Sequence, residues 1–336
     1  MKKLRIAING AGRIGRAFLK IALNEVDIVA INDIGDIENI AYLLKYDSVY
    51  GKNKSDIQVS DKKITVDGKE ILFLSEKEPT RLPWKDLDID VVVESTGLFT
   101  TFEKARVHIT AGAKKAVITA PAHGDALNAD EATILVGINE EKFKTCTVTS
   151  NASCTTNAGS PLLKILDEAV GIEKAVLNTV HAYTASQSIV DGPKAKDWKE
   201  GRAAAVNIVP TSTGAALAVT KALTSLEGKF DGIAIRVPVA AGSIVDVTFI
   251  SKKPTTVEEV NSALKKAAGE ERWSKVFSTT EEPLVSSDIL GSQYASIADL
   301  NLTRVVDGTL VKVMAWYDNE TGYCHSLLEH VLKLGV

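Results

Sequence analysis

The sequence predicts a two-domain chain of combined α/β and α+β class, an N-terminal parallel-sheet domain followed by a domain on a mainly antiparallel sheet. Three observations predict it. The first third alternates short apolar strands with amphipathic helical stretches, the pattern of a parallel sheet with helices on its faces. A glycine pattern stands between the first strand and the first helix. The second half changes to long β-branched runs with fewer helices between them. A length of 336 residues suits two cores.

Each element follows from its own pattern. Residues 4–8 read as a short buried strand, and 13–23 as a helix with Ile14, Phe18, Ile21 and Ala22 near one face. Residues 27–31, the run Val91-Val92-Val93, and 116–119 read as further strands of the same sheet. Beyond them, 175–181, 233–239, 243–251 and 310–317 are strand-like, and 257–268 is helical. The chain closes on a helix over 324–334, with Leu327, Leu328, Val331 and Leu332 at helical spacing. There is no internal repeat, low-complexity tract or long flexible linker.

Composition narrows the function classes. With 45% hydrophobic and 24% charged residues, the chain has apolar material for an ordinary globular core. The net charge of −4, without a block of like charge, argues against a nucleic-acid or membrane-surface partner. Three cysteines do not make a disulfide framework and fit a reducing compartment. The N-terminus lacks a signal-peptide core, and no apolar run reaches the ~18 residues of a membrane span, so a cytoplasmic location is expected.

Gly10-Ala11-Gly12-Arg13-Ile14-Gly15 follows the first strand and opens the first helix. That context turns a weak G-x-G-x-x-G match into a dinucleotide fingerprint. The first glycine permits a tight turn, the second admits a pyrophosphate, and the third lets helix and strand pack closely. The helix start offers free N–H groups to phosphates. Asp33 ends the second strand, where a carboxylate accepts ribose hydroxyls and repels a 2′-phosphate, which favours NAD over NADP. The plain alternative is a glycine-rich turn followed by a solvated Asp.

Ser150-Asn151-Ala152-Ser153-Cys154-Thr155-Thr156-Asn157 surrounds one thiol with small polar residues just before a helical stretch. A thiol at a helix N-terminus is expected to have a lowered pKa and to serve as a nucleophile. A lone cysteine is more often a core residue, but Ser, Thr and Asn would pack a core poorly. Cys146 and Cys324 lack such neighbours and read as structural. A thiol nucleophile needs a base. Among His108, His123, His181, His325 and His330, His181 closes a strand and opens a polar stretch, where a sheet presents catalytic groups. His108 and His330 read as structural or surface residues, and His123 lies in a loop that could border a cofactor. On pattern alone His181 is only preferred.

At these residues the sequence closely resembles the phosphorylating glyceraldehyde-3-phosphate dehydrogenase family. The likeness runs through 9–16, 30–33, Ser95-Thr96-Gly97, 150–157, 181–184, 210–216, Arg236-Val237-Pro238 and 316–323. It implies a Rossmann NAD-binding domain at 1–153, a catalytic domain at 154–317, and a C-terminal helix of about 318–336 packed back on the first. It implies a glycolytic or gluconeogenic reaction. Cys154 attacks the aldehyde of D-glyceraldehyde 3-phosphate, His181 handles the protons, and hydride passes to NAD. Inorganic phosphate then releases 1,3-bisphosphoglycerate from a thioester.

The resemblance also assigns binding residues. Arg13 and Ile14 would line the pyrophosphate with backbone N–H groups. Lys77 and Thr119 would add cofactor contacts, and Asn319 would hold the nicotinamide carboxamide. Thr184 and Arg236 would hold the substrate phosphate, since guanidinium matches phosphate with paired donors. Ser153, Thr155, Thr213 and Gly214 would hold the attacking phosphate, although Thr213-Gly214 by themselves read as a plain turn or helix start. No metal is implied. Pro193 lies in a segment that in this family crosses to a neighbouring subunit, within an implied homotetramer. The chain departs from the commoner pattern at Lys77 for Arg, Ala158 for a second Cys, Ala185-Ser186 for Asn-Asp, and Thr321 for Trp. A rival within the resemblance is erythrose-4-phosphate dehydrogenase, whose thioester is hydrolysed. A non-enzymatic RNA- or protein-binding role is opposed by the acidic balance and the intact Cys154, His181 and Arg236.

Overall fold

A computed structural model describes residues 2–195 and 197–335. The chain divides into two compact units. One comprises Met1–Ile134, Glu140–Ala152 and Leu327–Val336, and the other Leu135–Asn139 and Ser153–Ser326.

The first unit is built on a nine-stranded sheet. Its centre is Arg5–Asn9, paired in parallel with Asp27–Asn32 on one side and Val91–Glu94 on the other. Lys69–Leu74 extends the first side in parallel, and Lys115–Ile118, Val148–Ser150 and Glu131–Thr133 extend the second. An antiparallel hairpin, Ile57–Ser60 with Lys63–Val66, adds the remaining edge. The chain leaves the central strand toward one side and later returns on the other. The strand ends at that reversal form the crevice where doubly wound sheets bind ligands. Val91, Val92 and Val93 are all fully buried, as both faces of a parallel sheet require.

The second unit carries an eight-stranded sheet. Antiparallel pairs dominate, among them Ile172–Ala182 with Ser243–Ser251, and the latter with Leu310–Tyr317. Ile172–Ala182 also pairs in parallel with Phe230–Val237, as Phe277–Thr280 does with Ser296–Asp299. Side chains alternate across each strand. Leu177, Val245, Val247, Phe249, Val311 and Val313 therefore point to one buried face. Helices Cys154–Ala169 and Val257–Ala268 cover it with Leu162, Leu166, Val260 and Leu264 in one core cluster. Each such side chain contributes roughly 1.5–3 kcal/mol by leaving water.

The Cys154–Ala169 helix lies close on its sheet because small residues face it. A Cβ on Gly159 would meet the Leu177 side chain at 2.8 Å, and Ala158 is fully buried beside it. The alanine at 158 is thus a core packing residue. The last helix, Thr321–Leu334, starts three residues before its expected beginning. The Asp318 carboxylate accepts from Glu320 and Thr321 N–H and so opens the helix early.

Candidate active site

The glycine loop closes the first unit's central strand. Gly10 adopts φ +99°, and a Cβ there would lie 2.7 Å from Thr96 N. A Cβ on Gly15 would meet the Gly10 carbonyl oxygen at 2.0 Å, so helix and strand touch through a missing side chain. Gly12 caps the helix Arg13–Ala22, and nothing lies within 4 Å of where its Cβ would be. That open space adjoins a cleft of about 230 Å³ whose lining includes Gly10, Gly12, Asn32, Asp33, Lys77 and Thr96. The Asp33 carboxylate accepts from Ala11 N–H at 2.6 Å and from Gly35 N–H at 2.7 Å, which ties the second strand end to the loop. Each oxygen keeps a lone pair for a ligand hydroxyl. Arg13 turns its guanidinium to Asp47 at 3.0 Å. Thr119 follows the strand Lys115–Ile118 and donates its N–H to the Glu94 carbonyl at 3.0 Å. Glycines, cleft and carboxylate together fit a dinucleotide.

The two glycines predict opposite outcomes. Gly15→Ala should lower the denaturant midpoint by an amount equivalent to ~1–3 kcal/mol, because rigid backbone must shift. Gly12→Ala should leave the midpoint unchanged and weaken NAD in calorimetry. Equal midpoints for the two variants would contradict this account.

In the second unit, Ser153 caps the helix Cys154–Ala169 by accepting from Thr156 N–H at 3.0 Å. Ala152, at φ +55°, makes the left-handed turn before it. Such a conformation costs a non-glycine residue roughly 1–2 kcal/mol and persists where its surroundings impose it. Cys154 is the first helical residue. Alternation along Ile172–Ala182 points His181 to the same buried face as Leu177, which this helix covers. His181 Nε2 lies 3.4 Å from Cys154 Sγ. Register then brings in Arg236, which pairs with His181 across the parallel strands.

One carbonyl organises the imidazole. His181 Nδ1 lies 2.6 Å from Ala182 O, and Arg236 Nη1 donates to that oxygen at 3.2 Å. Ala182 O can only accept, so this bond puts the proton on Nδ1 and leaves Nε2 as the acceptor facing sulfur, whereas Arg236 Nη1 can only donate and approaches the same nitrogen as it would an acceptor. Arg236 Nη1 is 2.5 Å from Nδ1. Burial, then the adjoining guanidinium charge, hold the His181 pKa down to about 3, against the pull of the Ala182 bond. The sequence leads one to expect a lowered thiol pKa at Cys154, and the structure corrects that direction. Burial pushes the thiol up, and the Arg236 charge and Thr155 N–H only partly offset it. Sulfur therefore keeps its proton beside a neutral acceptor.

The remaining expected residues fall into place unevenly. The Thr155 hydroxyl is buried against the Tyr317 hydroxyl at 2.9 Å, and Tyr317 also reaches Thr179 at 2.7 Å. Thr213 accepts from Ala215 N–H and, with Gly214, starts the helix Ala215–Ala222. Thr184 meets Ser186 at 3.1 Å just past the strand end. Among the described residues, Thr184, Thr213 and Gly214 have no hydrogen bond to Cys154, His181 or Arg236. Arg236 Nε is buried without a partner. Asn319 Oδ1 accepts from Gly242 N–H and Ser243 Oγ, which fixes the amide with Nδ2 as its donor end. Cys146 and Cys324 are buried and lie outside any disulfide. His108 and His330 are fully buried, which settles their reading against the surface. Tyr317 escaped the sequence reading, although its place beside Asp318-Asn319 on a buried strand phase marks it.

Comparison with known proteins agrees along the whole chain. Residues 4–102 match the NAD binding domain of glyceraldehyde 3-phosphate dehydrogenase, and residues 153–319 match its C-terminal domain. The glyceraldehyde-3-phosphate dehydrogenase of Geobacillus stearothermophilus is 46% identical over 97% of this chain and 96% of its own length. That of Clostridium acetobutylicum is 47% identical over 96% of each chain. Glyceraldehyde-3-phosphate dehydrogenase 2 of Streptomyces avermitilis is 46% identical over 99% of this chain and 98% of its own.

Proposed function

The chain belongs to the glyceraldehyde-3-phosphate dehydrogenase family, and from that premise we propose that Cys154 converts D-glyceraldehyde 3-phosphate to 1,3-bisphosphoglycerate through a thioester, as a glycolytic or gluconeogenic step. The protein is an NAD-dependent oxidoreductase with glyceraldehyde-3-phosphate dehydrogenase activity. The observation that carries the finer reading is the 3.4 Å approach of His181 Nε2 to Cys154 Sγ at a helix start.

The thiol proton passes to His181 Nε2 as sulfur bonds the aldehyde carbon, and the aldehyde oxygen takes that proton back. His181 next accepts the hydroxyl proton of this thiohemiacetal as hydride leaves the carbon, giving the thioester. NAD, when bound, supplies the acceptor for that hydride. A phosphate oxygen attacks the thioester carbonyl, the carbon–sulfur bond breaks, and the Cys154 sulfur leaves with the bonding pair and takes up the proton held on His181 Nε2, while the phosphate's own proton goes to solvent. Arg236, whose Nε lacks a partner, would take the substrate phosphate with Thr184. Ser153, Thr213 and Gly214 would hold the attacking phosphate, with Thr155 contributing backbone N–H because its hydroxyl faces Tyr317. For the cofactor, Gly10, Gly12, Arg13 and Ile14 would cradle the pyrophosphate, Gly15 would seat the helix close behind them, and Asp33 would take a ribose. Lys77 and Thr119 would add contacts, and Asn319 Nδ2 would hold the carboxamide.

Phosphate omission tests the reading. Without phosphate or arsenate, the enzyme should form about one NADH per Cys154 and then stall. Sustained turnover without phosphate would overturn it in favour of a hydrolysed thioester, as in erythrose-4-phosphate oxidation. A homotetramer belongs to the same reading. It is supported by exposed Val176, Ile233 and Leu310 on the second sheet and by exposed Ile189, Trp198 and Ile208, and sedimentation equilibrium would measure it. Three cysteines, none in a disulfide among the described residues, support a cytoplasmic location. Among the described residues no helix is long and apolar enough to cross a membrane.

A further inference from the structure

The geometry points to Glu94 as a positioning residue for the nucleotide cleft, set in place from behind by His108 and Trp84. Glu94 ends a central strand and pairs with Asn9 across the register. It is 2% exposed, yet its carboxyl group has four donors. Oε1 accepts from Thr96 N–H at 2.8 Å and from Thr96 Oγ1 at 2.5 Å. Oε2 accepts from Asn9 Nδ2 at 2.6 Å and from His108 Nε2 at 2.9 Å. The tautomer follows from Trp84. The indole can only donate, and Nε1 lies 3.2 Å from His108 Nδ1, so the imidazole proton sits on Nε2 and is given to Glu94.

From Glu94 the network runs to the cleft. Asn9 Oδ1 accepts from Asn32 Nδ2 at 2.8 Å, and Asn32 Oδ1 accepts from Glu76 N–H at 2.9 Å. Asn9, Asn32, Glu76 and Thr96 all line the cleft, whereas His108 and Trp84 do not. Trp84 and His108 are fully buried. A core needs no carboxyl group there, and an apolar replacement would avoid the cost of burying it. What the network does provide is a fixed orientation for both asparagine amides and the Thr96 hydroxyl. Without it those groups could rotate, and the cleft would lose its pattern of donors and acceptors. Asp33 and the glycine loop make this the seat of the ADP-ribose half of the cofactor, and the inference rests on that part of the functional reading.

Glu94→Gln keeps the shape but places an NH₂ group against existing donors. Binding of ADP-ribose to the full chain, measured by calorimetry, should weaken about tenfold or more. The KM for NAD should rise in parallel while kcat at saturating NAD and the alkylation rate of Cys154 hold within about twofold. His108→Leu, which removes the donor, should weaken ADP-ribose similarly, and His108→Gln, which restores an N–H at the Nε2 position, should recover most of the affinity. Parental ADP-ribose affinity in folded Glu94→Gln or His108→Leu would overturn the inference. So would a loss that follows unfolding and is not recovered by His108→Gln. ADP-ribose binding by a parent protein that fails to oxidise the aldehyde would count against the proposed reaction alone.

Discussion

Cys154→Ser is expected to reduce NADH formation from glyceraldehyde 3-phosphate by at least about a thousandfold while NAD affinity stays within about twofold. The reaction needs a nucleophile that can lose its proton to a weak base and later depart from an acyl carbon. A thiol does both, and a hydroxyl at the same position does neither well. The position itself is kept in the variant. Ser153 still caps the helix, and the residue at 154 still faces His181 Nε2. The cleft assigned to the ADP-ribose half of the cofactor lies wholly in the first unit, so NAD affinity is an internal control. Cys146→Ser and Cys324→Ser should retain parental rates, since both thiols are buried. Activity above about a hundredth of parental in Cys154→Ser would remove the thiol from the mechanism.

Local order explains which features the sequence made legible. The glycine loop, Asp33 and the capped cysteine helix are each written within a few adjacent residues, and the structure places all three as expected. Long β-branched runs disclosed the long strands of the second unit, because branched side chains pack well on a pleated sheet. The parallel pairing of Ile172–Ala182 with Phe230–Val237 was not legible, since 47 residues without a repeating signal separate the two strands. Yet that pairing is what sets Arg236 beside His181. The edge hairpin at 57–66 carries mixed polarity because only one of its faces is buried, and no strand is expected there from its sequence.

Buried polar networks were the least legible feature. Trp84, Glu94 and His108 each look unremarkable in their own segment, and only the sheet register makes them one chain of donors and acceptors. The direction of the thiol shift failed for a related reason. A helix N-terminus can be read from residues 153–157, but burial depends on everything packed around sulfur. Here burial is the larger effect.

His181→Asn should therefore do more than slow the enzyme. In the parent, burial and Arg236 hold the imidazole neutral down to about pH 3, and the thiol keeps its proton up to a raised pKa. One protonation state, neutral imidazole beside protonated thiol, spans the whole interval between. Proton transfer from sulfur to Nε2 conserves that state, so kcat/KM should be nearly flat from about pH 4 up to the titration of Cys154. The acid edge is placed by His181, because protonating it below about pH 3 removes the acceptor. Asparagine cannot take a proton, so the variant must wait for thiolate formed in solution equilibrium. Its rate should fall roughly 10²–10⁴-fold at neutral pH and climb about tenfold per pH unit toward the thiol pKa. The two profiles would then approach each other at high pH without meeting, because the variant also lacks the base that takes the thiohemiacetal proton. A uniform loss with an unchanged flat profile would make His181 a packing residue and pass the role of base to another group.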